Sequence, residues 1–283
     1  MTIREALNTG AKMIRQSGGH LSPVLDSEVL LCFALKTDKA RLLTDPDRKV
    51  GARTLKRFLA LAKKRGTGVP VAYLTGSKEF CGLDFSVNRG VLIPRPETEG
   101  LVEELSSRLN GLRDMDILDI GTGSGCIVVS LAKKLPGNRF FASDVSGSAL
   151  TVAKRNAKRH RAKITFKKSD LLSGWGKMDF DVIIANLPYG WKAWKNDSSA
   201  ETRGLKYEPG KALFTGDGGL FLIKKLFRQV VLKRRPFMVA IEFDPRQAKK
   251  IKSLTSGLSG FKTEVLEDLA GKPRFAVSVR KFS

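Results

Sequence analysis

Asn186-Leu-Pro-Tyr189 is the stretch of this chain best suited to chemistry, and the chemistry is that of a planar NH2 group. Such a nitrogen is a poor nucleophile because its lone pair is delocalised into a carbonyl or a ring. An asparagine side-chain oxygen and a backbone carbonyl can each accept one of its two N–H bonds. Together they orient the nitrogen and push electron density onto it as it pyramidalises. Pro188 biases Leu187 to an extended conformation, which lets the Leu187 carbonyl point the required way, and Tyr189 offers a ring to stack on the flat group. Asn186, Leu187, Pro188 and Tyr189 are therefore the candidate catalytic residues. A sulfonium methyl donor already carries a good leaving group, so neither a strongly perturbed base nor a metal is expected. His20 and His160 are the only histidines, and both lie in polar contexts away from the motif.

A second stretch supplies the place for such a donor, Asp116-Ile-Leu-Asp-Ile-Gly-Thr-Gly-Ser-Gly125. Ile117, Leu118 and Ile120 read as a short buried strand that runs into glycines at alternate positions. An apolar helix over 126–135 follows, stopped by Pro136-Gly137. Strand, glycine turn and helix make a nucleotide-shaped pocket, because glycine lets a ligand approach the backbone closely. The spacing is not the G-x-G-x-x-G of nicotinamide sites, since Cys126 stands where the third glycine would fall. Asp144, 23 residues after Gly121 and at the end of the next strand, is placed to accept hydrogen bonds from a ribose diol. Asp170, after a third strand, can accept from an adenine amino group, with Leu171 packing on the ring. The candidate cofactor site is then Gly121, Thr122, Gly123, Ser124, Gly125, Asp144, Asp170 and Leu171, with Asn186 at its edge.

These motifs need a scaffold that brings strand ends together, and the chain from Asp116 onward has its pattern. Strands over 116–120, 140–144, 164–166, 180–185 and 237–243 alternate with helices over 126–135, 149–160, 221–232 and 246–254. Two strands near 265–266 and 275–279 close the chain. Such alternation predicts an α/β fold, an open and mostly parallel sheet with helices on both faces and ligands beyond the carboxyl ends of the strands. The first 75 residues differ. Apolar positions at helical spacing predict helices over 3–16 and 23–35, a short one between 37 and 45, and one over 53–65. A hinge at 65–70 leads to a β-hairpin with strands near 77–80 and 83–87. In Leu92-Ile-Pro-Arg-Pro-Glu-Thr-Glu99, Pro96 suits a first helical turn, Glu97 and Glu99 complement the helix's positive end, and Arg95 sits pinned between prolines. The expected division is a helical docking domain over 1–75, a hairpin linker over 76–90 and a cofactor domain over 91–283. No catalytic cluster falls in the first of these.

Composition narrows the setting. Of 283 residues, 42% are hydrophobic and 28% charged, which is the balance of a globular protein. The longest apolar run, 29–35, is far short of the ~20 residues that cross a bilayer, and the first residues have no apolar signal core. Three widely spaced cysteines lack metal-type pairing, so a cytoplasmic location and no membrane association are expected. The net charge of +23 is spread along the chain, with 14 Lys/Arg against 6 Asp/Glu over residues 1–75 and 37 against 22 over the rest. Such a field favours polyanions or an acidic protein partner, and a lysine-rich solvated surface explains it equally well. A monomer is expected, and nucleic acid is a possible but not a required partner.

At this point the sequence resembles the HemK-type protein-(glutamine-N5) methyltransferases of peptide chain release factors. The matching segments are Pro70-Val-Ala-Tyr-Leu-Thr-Gly76, Leu92–Glu99, Asp119–Gly125, Asn186–Tyr189 and Tyr207-Glu-Pro-Gly-Lys-Ala-Leu213, spread over nearly the whole chain. The resemblance implies a class I S-adenosylmethionine-dependent methyltransferase fold, Rossmann-like, behind a helical substrate-docking domain. It also implies S-adenosyl-L-methionine as cofactor and, as acceptor, the glutamine of the Gly-Gly-Gln loop of class 1 release factors. Carried over by position, Gly121–Gly125, Asp144 and Leu171 line the cofactor and Asn186–Tyr189 hold the glutamine. One residue departs from the family. Leu187 stands where it usually has proline, and Asn-Leu-Pro-Tyr is the form of ribosomal RNA adenine-N6 dimethyltransferases. Adenine-N6 methylation of rRNA or DNA, a ribosomal-protein glutamine as acceptor, and a non-catalytic docking role are the alternatives. The aromatic and basic stretch Trp191-Lys-Ala-Trp194, with Lys195, suits either a base or a loop of protein.

Overall fold

The computed structural model describes residues 1–16, 22–191, 203–233 and 236–281. His20 and the stretch 192–195 lie outside the described residues. The chain forms two compact units, one of residues 1–77 with 203–207, the other of 78–191 with 208–281.

The first unit is helical. In α1 (Ile3–Gln16) the residues Ile3, Ala6, Ala11 and Ile14 recur at helical spacing and are buried against α2 (Pro23–Leu35) and α4 (Ala52–Gly66). The Ser27 hydroxyl of α2 donates to the Leu7 carbonyl of α1 at 2.9 Å. The short α3 (Lys39–Thr44) begins at Asp38, whose carboxylate accepts from the Arg41 N–H at 2.7 Å, the usual N-cap contact. Arg65 reaches back to Asp26 at 2.7 Å, both side chains largely buried. All four helices lie where the periodicity put them. A fifth, α5 (Val71–Thr75), lies between the hinge and the hairpin, where the sequence pattern predicts no helix.

The hairpin itself, β1 (Ser77–Phe80) and β2 (Leu83–Ser86), turns through Cys81 and Gly82, both at positive φ, as two-residue hairpin loops require. Phe80 and Phe85 bury into the core of the second unit. There α6 (Pro96–Arg108) precedes β3 (Asp116–Ile120), α7 (Cys126–Lys134), β4 (Arg139–Asp144), α8 (Gly147–Arg159), β5 (Ile164–Lys168) and β6 (Val182–Ala185). Next come α9 (Gly210–Leu213), α10 (Phe221–Lys233), β7 (Met238–Glu242), α11 (Ala248–Ser256), β8 (Phe261–Glu267) and β9 (Pro273–Arg280). The sheet runs β5-β4-β3-β6-β7-β9-β8. The first five strands are parallel, and β9 is antiparallel to both its neighbours.

Alternate strand residues serve opposite faces. Ile117 and Ile184 join Leu101, Leu105 and Val128 on one side, while Leu118 and Ile183 join Ile223, Leu226 and Ile251 on the other. After β3 the chain builds outward through β4 and β5, then returns to lay β6 on the other side of β3. The switch in direction opens a crevice at the carboxyl ends of β3 and β6, where Ile120 and Ala185 are register partners. Gly121 and Asn186 are the residues that follow them.

Candidate active site

The turn after β3 is held open by backbone conformation. Gly121, Gly123 and Gly125 have φ of +70°, +55° and +80°, a region that costs a residue with a side chain ~1–2 kcal/mol. The amides of Gly121 and Thr122 both donate to the Ser143 carbonyl of β4, at 2.8 and 3.0 Å. Asp144 completes the clamp. Its Oδ2 accepts from the Gly123 N–H at 3.0 Å and its Oδ1 from the Ser146 N–H at 2.8 Å. Burial raises the Asp144 carboxyl above the ordinary range while these N–H donors pull it back.

Asp119, inside β3, is fully buried. One oxygen accepts from the Thr122 hydroxyl at 2.6 Å, and the other, Oδ1, makes no hydrogen bond among the described residues. Burial pushes this carboxyl up to about 7 against the Thr122 bond, with the charge of Asp144 adding to the rise. An orphaned buried carboxylate oxygen beside a glycine turn is a place for a cationic group.

At the end of β6 the second motif is held from behind. The Asn186 Nδ2 donates to the Thr98 hydroxyl on α6 at 3.2 Å. Thr98 donates to Glu242 Oε2 at 2.7 Å, and Tyr189 donates to Glu242 Oε1 at 2.9 Å. Burial raises the Glu242 carboxyl, opposed by these two hydroxyls and by the charge of Arg274. The Tyr189 phenol is raised well above its ordinary value, by burial first and then by Glu242. Among the described residues neither the Asn186 Oδ1 nor the Leu187 carbonyl accepts a hydrogen bond. Two acceptors with no hydrogen-bond donor among the described residues, one of them on a side chain anchored through its other end, are what a planar NH2 group with two N–H bonds requires.

The backbone beyond the motif is fixed as well. Gln247 Nε2 donates to the Tyr189 carbonyl at 3.0 Å and the Gly218 carbonyl at 2.8 Å. Gly190 N donates to the Leu213 carbonyl at 2.8 Å, and Thr215 N to the Gly190 carbonyl at 3.0 Å. The Arg246 guanidinium, bonded twice to Asp244, lies 4.6 Å over the Trp191 ring.

Comparison with known proteins decides the family. Residues 5–76 match the PrmC N-terminal domain and residues 96–227 the methyltransferase small domain. A release factor glutamine methyltransferase of Koribacter versatilis is 36% identical over 281 residues, covering 98% of each chain. One from Moorella thermoacetica is 36% identical over 285 residues, covering 99% of each. The chain belongs to the release factor glutamine methyltransferases. Its fold is that of the class I S-adenosylmethionine-dependent methyltransferases. The hMettl16 catalytic domain, solved in complex with MAT2A 3'UTR hairpin 6, shares this fold at a TM-score of 0.57 and 17% identity, over 79% of this chain and 82% of that one.

For this methyltransferase S-adenosylmethionine is the methyl donor, and the residues present suit it. The cofactor brings a sulfonium and an ammonium, for which Asp119 offers an unpartnered oxygen, and a ribose diol, for which Asp144 has lone pairs left after its two backbone contacts. Gly123 leaves its turn open, with no atom closer than 3.9 Å to the position a Cβ would take. Leu171 is buried with φ +52°. Asp170, in contrast, is exposed and ion-paired to Lys225 on α10 through Oδ2, which leaves Oδ1 as the oxygen that can accept from an adenine amino group.

The departure at Leu187 also has a physical place. Its side chain is 4% exposed and packs with Leu118, Ile120 and Leu171 in the sheet's second core. Its Cδ2 lies 3.1 Å from where a Cβ on Gly121 would stand. The leucine therefore fills space beneath the glycine turn. Arg95 finds its partner in buried Glu208, which takes the guanidinium on Oε1 at 2.6 Å and the Ile93 N–H on Oε2 at 3.0 Å. Two family segments far apart in sequence are tied together by that one carboxylate.

Sequence reasoning missed Thr98, Asn156, Glu242 and Gln247. Asn156 on α8 is fully buried. It accepts from the Ser86 N–H at 2.8 Å and donates to the Ser86 and Ser124 carbonyls at 3.0 and 2.8 Å, joining hairpin to glycine turn. A signal for Glu242 was present, an acid closing the apolar strand Met-Val-Ala-Ile-Glu just as Asp144 closes β4.

Proposed function

We propose that this chain transfers the methyl group of S-adenosylmethionine to the side-chain amide nitrogen, N5, of the glutamine in the Gly-Gly-Gln loop of class 1 peptide chain release factors. The observation that carries this reading is the pair of open acceptors, Asn186 Oδ1 and the Leu187 carbonyl, at the end of β6 beside the glycine turn. Bound at that turn, the cofactor supplies a methyl group on a sulfonium, a good leaving group. Asn186 and Leu187 take one amide N–H each and raise the density on the nitrogen as it becomes tetrahedral. Tyr189 borders the flat amide, its ring held by Glu242. No strongly basic group is required at the nitrogen, because its proton becomes acidic once the methyl group is attached.

Residues 1–75 are read as the docking domain for the release factor, 76–90 as the linker and 91–283 as the catalytic domain. Exposed Val24, Leu25 and Val29 on α2 support a docking role, as does the absence of catalytic residues there. The enzyme is taken to act as a monomer in the cytoplasm; no described helix is long and apolar enough to cross a membrane. Mass spectrometry of a Gly-Gly-Gln-containing release factor after incubation with enzyme and cofactor tests the reading. A methylated glutamine is expected. An unmodified factor alongside methylated adenine in added ribosomal RNA would replace it with the nucleic-acid reading.

A further inference from the structure

We propose that Glu242, acting through Thr98, is the positioning residue that sets which way the Asn186 amide faces. The inference rests on the glutamine-methylation reading for its catalytic consequence, but the orientation itself follows from counting hydrogens. Asn186 can serve an acceptor NH2 group only if Oδ1, and not Nδ2, points into the crevice. The two ends of a carboxamide have the same shape, so packing alone does not choose between them.

Thr98 makes the choice, and Glu242 makes it for Thr98. A hydroxyl has one hydrogen to give and two lone pairs to offer, and Glu242 spends an oxygen as acceptor on each of two hydroxyls, those of Thr98 and Tyr189. Thr98 Oγ1 stands 2.7 Å from Glu242 Oε2 and 3.2 Å from Asn186 Nδ2. Its hydrogen is committed to Glu242, so it faces Asn186 with lone pairs alone. Only the NH2 end of the asparagine fits against them, and Oδ1 is turned outward. The other Glu242 oxygen takes the Tyr189 hydroxyl, which draws the last residue of the motif onto the same anchor. Thr98 and Glu242 are 2% and 1% exposed, so water does not replace either partner. Neither touches the crevice; both act on the chemistry through Asn186 and Tyr189.

Glu242→Gln keeps the shape and reverses one polarity. With its NH2 turned to Thr98, the threonine hydrogen is freed to point at Asn186, which then favours Oδ1 inward and Nδ2 toward the substrate amide, donor against donor. Thr98→Val removes the relay in another way, and Thr98→Ser retains it. Three readouts separate positioning from structural support. The single-turnover methylation rate should fall roughly tenfold to a hundredfold in Glu242→Gln and Thr98→Val and be restored in Thr98→Ser. The KM for release factor and the cofactor affinity by calorimetry should stay near wild type, whereas a general loss of structure moves them together. In the wild-type enzyme, nuclear Overhauser contacts should join the Asn186 side-chain NH2 to Thr98, and these should weaken in Glu242→Gln.

A wild-type single-turnover rate in both Glu242→Gln and Thr98→Val overturns the proposal, as does the lack of the Asn186–Thr98 contact in the wild-type spectrum. If Glu242→Gln does not fold, Thr98→Val and the wild-type spectrum decide. If the wild type methylates no glutamine, the functional reading fails, while the spectrum still tests the orientation.

Discussion

Gly219→Ala is the most telling change outside the two motifs. Gly219 has φ +85°, and a Cβ there would stand 1.9 Å from the Tyr189 carbonyl oxygen, 2.7 Å from its carbon and 2.4 Å from Gln247 Nε2. Ordinary contact begins near 3.4 Å, so backbone or loop must give by about 1.5 Å. The Tyr189 carbonyl has little freedom to move. Gln247 holds it at 3.0 Å, and Gly190 is bonded on both sides, to Leu213 and to Thr215. The left-handed conformation costs an alanine ~1–2 kcal/mol and the overlap ~1–3 kcal/mol more, giving a stability loss of about 2–5 kcal/mol. Part of the displacement should reach the end of the Asn186–Tyr189 segment, where a shift of about 1 Å lowers the rate roughly a hundredfold. Urea denaturation reads the first effect and single-turnover methylation the second. Cofactor affinity should change little, because the turn at 121–125 is untouched. Gly216→Ala is the control, with φ −73° and no atom nearer than 4.0 Å, and it should fall within about 0.5 kcal/mol of wild type. A Gly219→Ala enzyme with the wild-type single-turnover rate would show that the turn does not position the motif.

Three further outcomes are expected. Asn186→Ala should cost ~2.7–4 kcal/mol in the chemical step, a hundredfold or more, with cofactor affinity nearly unchanged; Asn186→Asp should not rescue it, because two carboxylates would then compete for the single Thr98 hydrogen. Asp119 has a folded-state pKa of about 7 against 3.8 when free, so its ionisation costs stability that is intact below about pH 4 and lost as pH rises through 7. Asp119→Asn should therefore stabilise the cofactor-free enzyme at pH 8, by about 4 kcal/mol at most, and hardly at all at pH 4; a pH-independent difference between the urea curves would refute the assignment. An enzyme beginning near Val71 should bind cofactor by calorimetry yet lose activity toward intact release factor, and full activity would place docking elsewhere.

The local structure of this protein was legible in its sequence because local physics governs it. Helical spacing in residues 3–16 and 53–65 and the glycine run after an apolar strand each act within a few residues. The β–α alternation likewise predicted the parallel sheet, and the two motifs fell at strand ends as such sheets require. The short helix Val71–Thr75 was not legible, since five residues carry too little periodicity to separate helix from strand. Nor was the support behind the site. Thr98 lies 88 residues from Asn186, Glu242 lies 144 from Thr98 and 53 from Tyr189, and Asn156 lies 70 from the hairpin it holds. A buried polar side chain takes whichever partner the strand order and helix placement bring within about 3 Å, and no sequence interval encodes that meeting. The sequence alone thus determined which groups can do the chemistry. The tertiary structure decided which way they face, because a hydrogen committed to a distant carboxylate is unavailable to the amide beside it.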